Sequence, residues 1–273
     1  MDAPPPPIGV FDSGVGGLTV LGALHAALPA EDFIYLGDTA RLPYGTKSAT
    51  TVARYSAQCA GALVARGIRA LVVACNTASA FALADLRRDF PRMPIIGVIE
   101  PGAQAAVAAS RTQRIAVIAT EGTIAGGAYQ AAIRRLSAAA EVRTRACSLF
   151  VAMAEEGWTE GPLTEAVAHR YLDGMFDGAA APDTLVLGCT HFPVLAAAIR
   201  AVLPPGVRVI DSAATTAAAV AAVIGAGGAG GAGGRGSGRV VWLATDGAAR
   251  FARVGSRFFG RTLAADDIEI IDL

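Results

Sequence analysis

Short apolar runs of strand length alternate along the chain with stretches of helical periodicity. The runs are IGVF at 8, FIYLG at 33, ALVVAC at 70, PIIGVI at 94, RIAVIAT at 114, TLVLGC at 184 and VRVID at 207. Between them, residues 48–66 place Val52, Tyr55, Cys59 and Leu63 on one helical face. Strands that are apolar throughout are typical of parallel sheets covered by helices on both faces. The pattern therefore predicts an α/β protein.

The chain also repeats itself. IGVFDSG begins one half and IAVIATEG the other, and in each half a later strand ends in a cysteine. We expect two similar parallel-sheet α/β domains related by pseudo-symmetry, with the active site in the cleft between them. The first domain takes residues 1–98 and 211–273, and the second takes 99–210. GAGGAGGAGGRGSG at 225–238 is interpreted as a flexible insert, beyond which RVVWLAT resembles a strand and AARFARVGSRFFG a helix.

Composition excludes several classes of protein. Lys+Arg equals Asp+Glu at 23 each, so charge gives no reason to expect nucleic acid or anionic membrane as a partner. The longest apolar runs fall short of the roughly 20 residues that span a bilayer. The start, MDAPPPPIGV, lacks the pattern of a signal peptide, which predicts a cytoplasmic protein. Four cysteines without CxxC spacing and only three histidines predict neither a metal site nor a disulfide framework.

The glycine-rich stretch DSGVGGLTV at 12–20 invites a nucleotide-binding interpretation that does not hold. A dinucleotide fingerprint needs a glycine where Thr19 stands, and a phosphate loop needs Gly-Lys followed by Ser or Thr. The glycines still allow a tight turn into a helix whose first N–H groups suit a carboxylate as well as a phosphate. A packing turn is the alternative, but Asp12 and Ser13 at the strand end favour a binding site.

The four cysteines divide into two kinds. Cys75, in VVACNTASA, and Cys189, in LVLGCTHFP, each end a strand at the start of a predicted helix. The helix dipole there favours a thiolate, and we expect thiol pKa values below the free value of about 8.5. Cys59 lies on the apolar face of its helix, and Cys147 has no polar neighbours that suggest chemistry. One strand-end cysteine is ordinarily structural, whereas two in matching positions indicate a function.

Two thiols on opposite sides of a ligand restrict the chemistry. In open α/β sheets, ligands bind beyond the carboxyl ends of the strands. If the two domains face each other, Cys75 and Cys189 approach one ligand from opposite faces. A hydrolase needs one cysteine and a base, and a redox pair needs its thiols within bonding distance. Opposed thiols instead suit removal of a proton from one face of a carbon and delivery to the other, which inverts a stereocentre.

Five motifs together identify a family. In their order and spacing, IGVFDSGVGGLTV, YLGDTARLPYGTKS, VVACNTASA, LFVAMAEEG and LVLGCTHFP resemble the glutamate racemases, cofactor-independent enzymes that supply D-glutamate for bacterial peptidoglycan. The resemblance covers nearly the whole chain. It implies interconversion of L- and D-glutamate by two-base proton transfer at Cα. Ala152 replaces a proline usual before the acidic pair, and Phe192 replaces a tyrosine usual after the histidine.

The resemblance also assigns roles to residues. Cys75 and Cys189 are the two acid/base thiols, with Asp12 supporting Cys75 and His191 supporting Cys189. A glutamate of the EEG motif assists on the histidine side; Glu155 and Glu156 both fit the motif, and we assign the role to Glu156. The implied substrate contacts lie beside the thiols: Asp12, Ser13, Tyr44, Gly45, Asn76, Thr77, Thr190 and His191.

The lysine count points independently to chemistry without a cofactor. Pyridoxal phosphate would ease removal of the Cα proton, but it binds through a lysine. Lys47 is the only lysine, in a loop without a phosphate cradle nearby. We therefore expect the carbanion to be stabilised by preorganised hydrogen bonds and by exclusion of water.

Two alternatives stay open. Another cofactor-independent racemase, such as one for aspartate, fits the same motifs, because pocket size is not visible in the sequence. A non-catalytic amino-acid-binding protein of the same fold is the second, although it gives no reason for paired thiols. The sequence also leaves the oligomeric state open, with a homodimer among the alternatives.

Overall fold

Two parallel sheets organise the part of the chain that the computed structural model describes, residues 5–226 and 236–273. The strands are β1 (Ile8–Asp12), β2 (Phe33–Gly37), β3 (Ala70–Val73), β4 (Ile95–Gly97), β5 (Arg114–Ala119), β6 (Glu141–Ala146), β7 (Thr184–Gly188), β8 (Arg208–Asp211), β9 (Val240–Ala244) and β10 (Ile268–Ile270). Most of the predicted insert at 225–238 lies outside the described residues.

Helices connect successive strands. They are α1 (Leu18–Ala27), α2 (Ala49–Ala65), α3 (Asn76–Phe81), α4 (Leu83–Asp89), α5 (Ile99–Ala109), α6 (Glu121–Ala125), α7 (Ala128–Leu136), α8 (Leu149–Glu156), α9 (Pro162–Leu172), α10 (Ala196–Ala201), α11 (Ser212–Ala226) and α12 (Ala248–Phe259). Short 3₁₀ turns occupy Tyr44–Thr46, Phe192–Leu195 and Ala265–Asp267. The helix predicted over 48–66 is α2, which the Ser48 side chain caps by accepting a hydrogen bond from the Thr51 amide.

The two sheets repeat one strand order. The six-stranded sheet runs β10-β9-β2-β1-β3-β4, and the four-stranded sheet runs β6-β5-β7-β8, with parallel pairing throughout. Strands β6-β5-β7-β8 therefore stand in the same order as β2-β1-β3-β4. This confirms the prediction of two related parallel-sheet α/β units. In both sheets the first strand of the unit is central, flanked by the second and the third.

Burial explains why the strands read as continuous apolar runs. Every residue of β1, β2, β3 and β7 is buried, because helices cover both faces of the sheets. Cys59, expected in the core, is fully buried on α2. None of the helices in the described part of the chain combines the length and apolar character needed to span a lipid bilayer.

The six-stranded sheet is completed by strands from the C-terminal part of the chain, after the four-stranded sheet has formed in between. Strands β5 to β8 form the four-stranded sheet, and β9 and β10 then add to the edge of the six-stranded sheet. Helix α11 precedes β9 and packs against both α1 and α5. Helix α11 belongs to the predicted first domain and α5 to the predicted second, and the two helices pack directly against each other. The domain limits, 1–98 with 211–273 and 99–210, therefore stay a prediction.

Candidate active site

A buried carboxylate marks the carboxyl end of β1. Asp12 is the last residue of the strand and is fully buried, and its Oδ2 accepts a hydrogen bond of 3.0 Å from the Gly14 amide. A Cβ on Gly17 would lie 2.5 Å from the Asp12 Cβ, so the turn can fold over the carboxylate only with glycine there. Burial raises the pKa of Asp12. The positive charge of His191 and hydrogen bonds from the amides of Gly17 and Gly14 act in the opposite direction.

The first thiol lies just beyond β3. Cys75 caps the N-terminus of α3: its sulfur accepts from the Ala78 amide at 3.5 Å and lies 3.5 Å from the Ser13 hydroxyl. Burial raises the pKa of the Cys75 thiol to about 12, and the negative charge of Asp12 adds to the rise. The prediction that the helix start lowers this pKa is therefore wrong for Cys75, because loss of solvent outweighs the hydrogen bonds of a one-turn helix end.

The second thiol lies directly beyond β7. Cys189 is buried, and its Sγ is 3.9 Å from Nδ1 of His191. A 3₁₀ turn over Phe192–Leu195 follows, where the sequence predicts the start of a helix. The two cysteines occupy equivalent strand ends, since β3 and β7 each lie beside the central strand of their unit. The Cys189 charge also contributes to raising the Cys75 pKa, which places the two sulfurs within electrostatic reach.

A line of polar groups leads away from Cys189. Nε2 of His191 lies 3.0 Å from Oε1 of Glu155, whose other oxygen accepts a 2.9 Å hydrogen bond from Arg250. Burial alone would lower the pKa of His191, but its hydrogen bonds to Cys189 and Glu155 raise it to about 10. Burial pushes the pKa of Glu155 up, but His191 and Arg250 together bring it below its ordinary value. At neutral pH, an imidazolium therefore stands between a carboxylate and the thiol.

The carboxylate beside His191 is Glu155, which corrects the assignment to Glu156. Glu155 has a side chain that is 12% exposed and faces the histidine. Glu156, one residue later at the end of α8, is exposed to solvent. A helical step of about 100° separates neighbouring side chains, so only one of the two can point into the cleft.

The loops that follow β1 and β7 touch each other. The Thr190 hydroxyl donates to Oδ1 of Asp12 at 3.4 Å, and the Thr19 hydroxyl donates to the Thr190 carbonyl at 3.0 Å. Gly16 packs so tightly that an added Cβ would lie 2.3 Å from Nδ1 of His191. The glycine stretch therefore brings the backbone of the first unit against the histidine of the second, which explains its composition without any nucleotide.

Two further predicted contacts lie where the units meet. Asn76 is 3% exposed; its Oδ1 accepts a hydrogen bond of 2.8 Å from the Tyr129 hydroxyl, and its Nδ2 has no partner in the described part of the chain. The Thr77 hydroxyl lies 3.1 Å from that of Thr120 and 2.9 Å from that of Thr123. Asn76 thus keeps a free donor for a ligand, whereas the Thr77 hydroxyl joins the two units.

The side chain of Tyr44, which the resemblance predicts as a substrate contact, is turned into the first unit. Its hydroxyl donates to the buried carboxylate of Asp38 and lies 3.8 Å from the Cys59 sulfur, inside the first unit. The phenol is therefore not available to a ligand, which corrects that contact as far as the side chain is concerned. Gly45, the next residue, lines a cavity of about 220 Å³ between its own loop and α8. The other lining residues are Leu42, Pro43, Thr46, Thr120, Ser148, Val151, Ala152 and Glu155.

Several groups around the thiols escaped the sequence analysis. Tyr129, Thr120, Thr123 and Arg250 contact residues of the site, yet none of them lies in the five motifs that carry the family resemblance. The sequence did contain a signal for Thr120, because IAVIATEG resembles IGVFDSG and Thr120 directly follows the strand.

Within residues 5–226 and 236–273, no three His, Cys, Asp or Glu side chains converge as ligands for a metal.

Comparison with known proteins agrees with this geometry. The model of the Asp/Glu/Hydantoin racemase family matches residues 8–220. The glutamate racemase of Geobacter metallireducens is 51% identical over 94% of this chain and 93% of its own length. That of Aquifex aeolicus is 53% identical over 77% of this chain and 80% of its own.

Solved structures show the same likeness. Glutamate racemase from Francisella tularensis, in complex with D-glutamate, superposes with a TM-score of 0.89 at 35% identity, covering 98% of this chain and 97% of its own. Glutamate racemase from Thermus thermophilus, in complex with β-chloro-D-alanine, gives 0.87 at 43% identity, covering 100% and 99%. With the paired thiols at equivalent strand ends, these matches show that the chain belongs to the Asp/Glu/hydantoin racemase family.

Proposed function

We propose that this protein is a glutamate racemase that interconverts L- and D-glutamate by moving the Cα proton between Cys75 and Cys189. One observation carries the proposal: the thiols follow equivalent strands of two related units, and each has its own polar support. Asp12 and Ser13 stand at Cys75, and His191 stands at Cys189. A binding protein has no use for such a pair.

The surroundings of the two thiols differ in charge. Burial raises the pKa of Cys75 to about 12, so that this residue rests as a thiol. The His191 imidazolium lies 3.9 Å from the Cys189 sulfur, so this half of the site carries a positive charge directly beside its thiol. In the reaction, one thiolate takes the Cα proton and becomes a thiol, and the other thiol gives its proton to the opposite face and becomes a thiolate. The next turnover begins with the states exchanged.

The substrate's carboxylates need donors that are free in the resting protein. Nδ2 of Asn76 is such a donor, because it is buried at the start of α3 without a partner among the described residues. The Ser13 hydroxyl, which lies 3.5 Å from the Cys75 sulfur, the Thr190 hydroxyl and the backbone of Gly45 are proposed as further contacts. Preorganised donors of this kind stabilise the negative charge that develops when Cα loses its proton.

The biological role follows from the product. D-Glutamate made by this reaction would supply peptidoglycan synthesis, as the resemblance to the family implies. A cytoplasmic location stays a prediction from the sequence.

The decisive experiment is incubation of the purified protein with L-glutamate in deuterated water, without any added cofactor. We expect D-glutamate to form, and we expect deuterium at Cα of the product, because the proton delivered comes from a thiol that exchanges with solvent. L-Aspartate in a parallel reaction separates the glutamate enzyme from an aspartate racemase. Binding of both glutamate enantiomers without interconversion would instead establish an amino-acid-binding protein.

Exhaustive dialysis against a chelator provides the control for hidden cofactors. We expect the racemisation rate to survive it, since the proposed chemistry uses only side chains of the chain. Activity that disappears on dialysis and returns with pyridoxal phosphate or a metal ion would contradict the two-thiol mechanism.

A further inference from the structure

Glu155 is shared between two cationic groups from different parts of the fold. Its Oε1 lies 3.0 Å from Nε2 of His191, and its Oε2 accepts a hydrogen bond of 2.9 Å from Nη2 of Arg250. His191 follows β7 in the four-stranded sheet, whereas Arg250 lies in the first turn of α12, between β9 and β10 of the six-stranded sheet. The carboxylate therefore links the two units through its two oxygens.

Helix α12 contacts this link at two more points. Nη1 of Arg257 donates to the backbone carbonyl of Glu155 at 2.9 Å, where α8 ends and its carbonyls lack helical partners. The Phe258 ring packs edge-on against the His191 imidazole, with 5.1 Å between ring centroids. Helix α12 thus contacts both the backbone and the side chain of Glu155, and it also packs against the imidazole ring of His191.

Positive and negative charges alternate from His191 through Glu155 to Arg250, and exposure to solvent increases in the same order. Side-chain exposure is 8% for His191, 12% for Glu155 and 49% for Arg250. A buried carboxylate needs compensation by opposite charge, and Arg250 provides it on the side turned away from the histidine. Without Arg250, Glu155 would satisfy only one of its oxygens with a cation, and its carboxylate would be free to rotate away from His191.

We propose that Arg250 is a positioning residue for the Cys189 half of the site: it fixes the Glu155 carboxylate on His191, which in turn keeps Cys189 ready for proton transfer. The inference rests on the proposed two-thiol function. The Cys75 half has different supports, the Ser13 hydroxyl and the Ala78 amide, and neither of these hydrogen bonds involves a residue of α12. Loss of Arg250 is therefore expected to impair one thiol and spare the other.

A substrate analogue with a β-leaving group separates the two halves, because it needs only the thiolate that removes the Cα proton. With β-chloroalanine, that thiolate takes the Cα proton and chloride leaves as the Cα–Cβ double bond forms, which gives 2-aminoacrylate. This enamine tautomerises to the imine, and water hydrolyses the imine to pyruvate and ammonium. Cys75→Ser and Cys189→Ser, assayed on both enantiomers, identify which enantiomer each thiol serves. Arg250→Ala, Arg250→Lys and Arg253→Ala are then compared with the unaltered protein. Arg253 is the matched control, an exposed arginine on the same helix.

We expect Arg250→Ala to slow elimination from the enantiomer that Cys189 serves by about two- to fivefold, the upper part of the range for a partly exposed ion pair, and the other by less than about twofold. Arg250→Lys should recover most of the rate, because an ammonium can still reach the carboxylate. Arg253→Ala should match the unaltered protein. Equal losses on both enantiomers, or no loss on either, would overturn the assignment.

Alkylation provides a readout that needs no turnover. The thiolate is the form that reacts with iodoacetamide, so the modification rates of Cys75 and Cys189 report their ionised fractions by peptide mass spectrometry. Arg250→Ala should slow modification of Cys189 about two- to fivefold and leave Cys75 within about twofold. Unchanged modification of Cys189 would count against the positioning role even if the protein racemises glutamate. Failure of the unaltered protein to racemise glutamate would defeat the proposed function instead.

Discussion

The Tyr129 phenol donates a hydrogen bond of 2.8 Å to the side-chain carbonyl of Asn76, across the boundary between the two units. Tyr129 lies on α7 beside the four-stranded sheet, and Asn76 begins α3 at the end of β3. Both side chains are buried. Because the carbonyl oxygen is taken, the Asn76 amide group is turned so that its Nδ2 is the atom left free for a ligand.

Removing that phenol tests whether it orients the amide. Tyr129→Phe keeps the ring but leaves the buried Asn76 carbonyl unsatisfied, which costs about 1–3 kcal/mol in the free energy of unfolding. If Asn76 binds substrate, KM for glutamate should rise about three- to tenfold, with a smaller change in kcat. Steady-state kinetics and urea denaturation measure the two effects. Tyr55→Phe is the control, since the Tyr55 ring packs on Arg41 and not on the site. An unchanged KM in Tyr129→Phe would show that the bond serves stability alone.

The sequence predicts the fold wherever a strand is buried on both faces. Central strands such as β1 and β7 consist of apolar residues and stand out at once. The edge strand β6 has the sequence EVRTRA and is largely half-exposed, so its polar residues hide it from a search for apolar runs. Edge strands pair on one side only, and their composition follows solvent more than the core.

The site is less fully predictable, because its residues meet through space. Motifs located Cys75 and Cys189, but nothing in EEG distinguishes Glu155 from Glu156 until the helix phase is known. The thiol pKa expectation failed for Cys75 for a related reason. A helix end is visible in the sequence, whereas the degree of burial, which dominates the pKa of that thiol, depends on the surrounding fold.

Neighbouring glutamates provide a matched pair of substitutions. Glu155→Gln removes the negative charge beside His191 and keeps the side-chain volume, so the imidazolium loses its carboxylate partner. We expect kcat for racemisation to fall about ten- to a hundredfold, the usual effect of losing a group that orients a reacting residue. Glu156→Gln, which changes an exposed side chain one residue away, should stay within about twofold. The ratio of the two kcat values measures the effect, and a larger loss in Glu156→Gln would reverse the assignment.

Alkaline pH should destabilise the protein in a defined range. Burial raises the pKa of both Cys59 and Cys147 from the ordinary 9.0 to about 12. Each thiol is neutral in the folded state over this range but ionises on unfolding. The contribution of these two thiols to stability is therefore intact below pH 9 and falls as pH rises toward 12. His191, with a pKa raised from 6.5 to about 10, adds a loss of the same sign, which begins above pH 6.5 and is complete once pH has risen through about 10.

Urea denaturation at a series of pH values between 8 and 11 measures this loss. Cys59→Ala removes one thiol that loses its proton on unfolding, and it should therefore reduce the slope of unfolding free energy against pH by up to about 1.4 kcal/mol per pH unit. Val52→Ala, on the same buried face of α2, should lower stability at every pH and leave the slope unchanged. A slope that Cys59→Ala does not alter would mean that its thiol already ionises in the folded protein.

The two thiols should prove unable to replace each other. Each enantiomer must meet a thiolate on one face and a thiol on the other, so racemisation needs both Cys75 and Cys189. A serine hydroxyl is a far weaker base at neutral pH, and either Cys→Ser change should lower kcat by about 10²-fold or more. Cys147→Ser changes a buried cysteine that follows β6 and serves as the control for loss of a thiol. It should retain turnover.

The residual chemistry of these variants is more informative than the loss. Elimination from β-chloroalanine needs only the abstracting thiolate, so Cys75→Ser should still process one enantiomer and Cys189→Ser the other. The resemblance to the glutamate racemases assigns the D enantiomer to Cys75 and the L enantiomer to Cys189. Pyruvate release by both variants on both enantiomers measures the split. If both variants lost the same enantiomer, one thiol would carry out every abstraction, and the second would act only as a binding group.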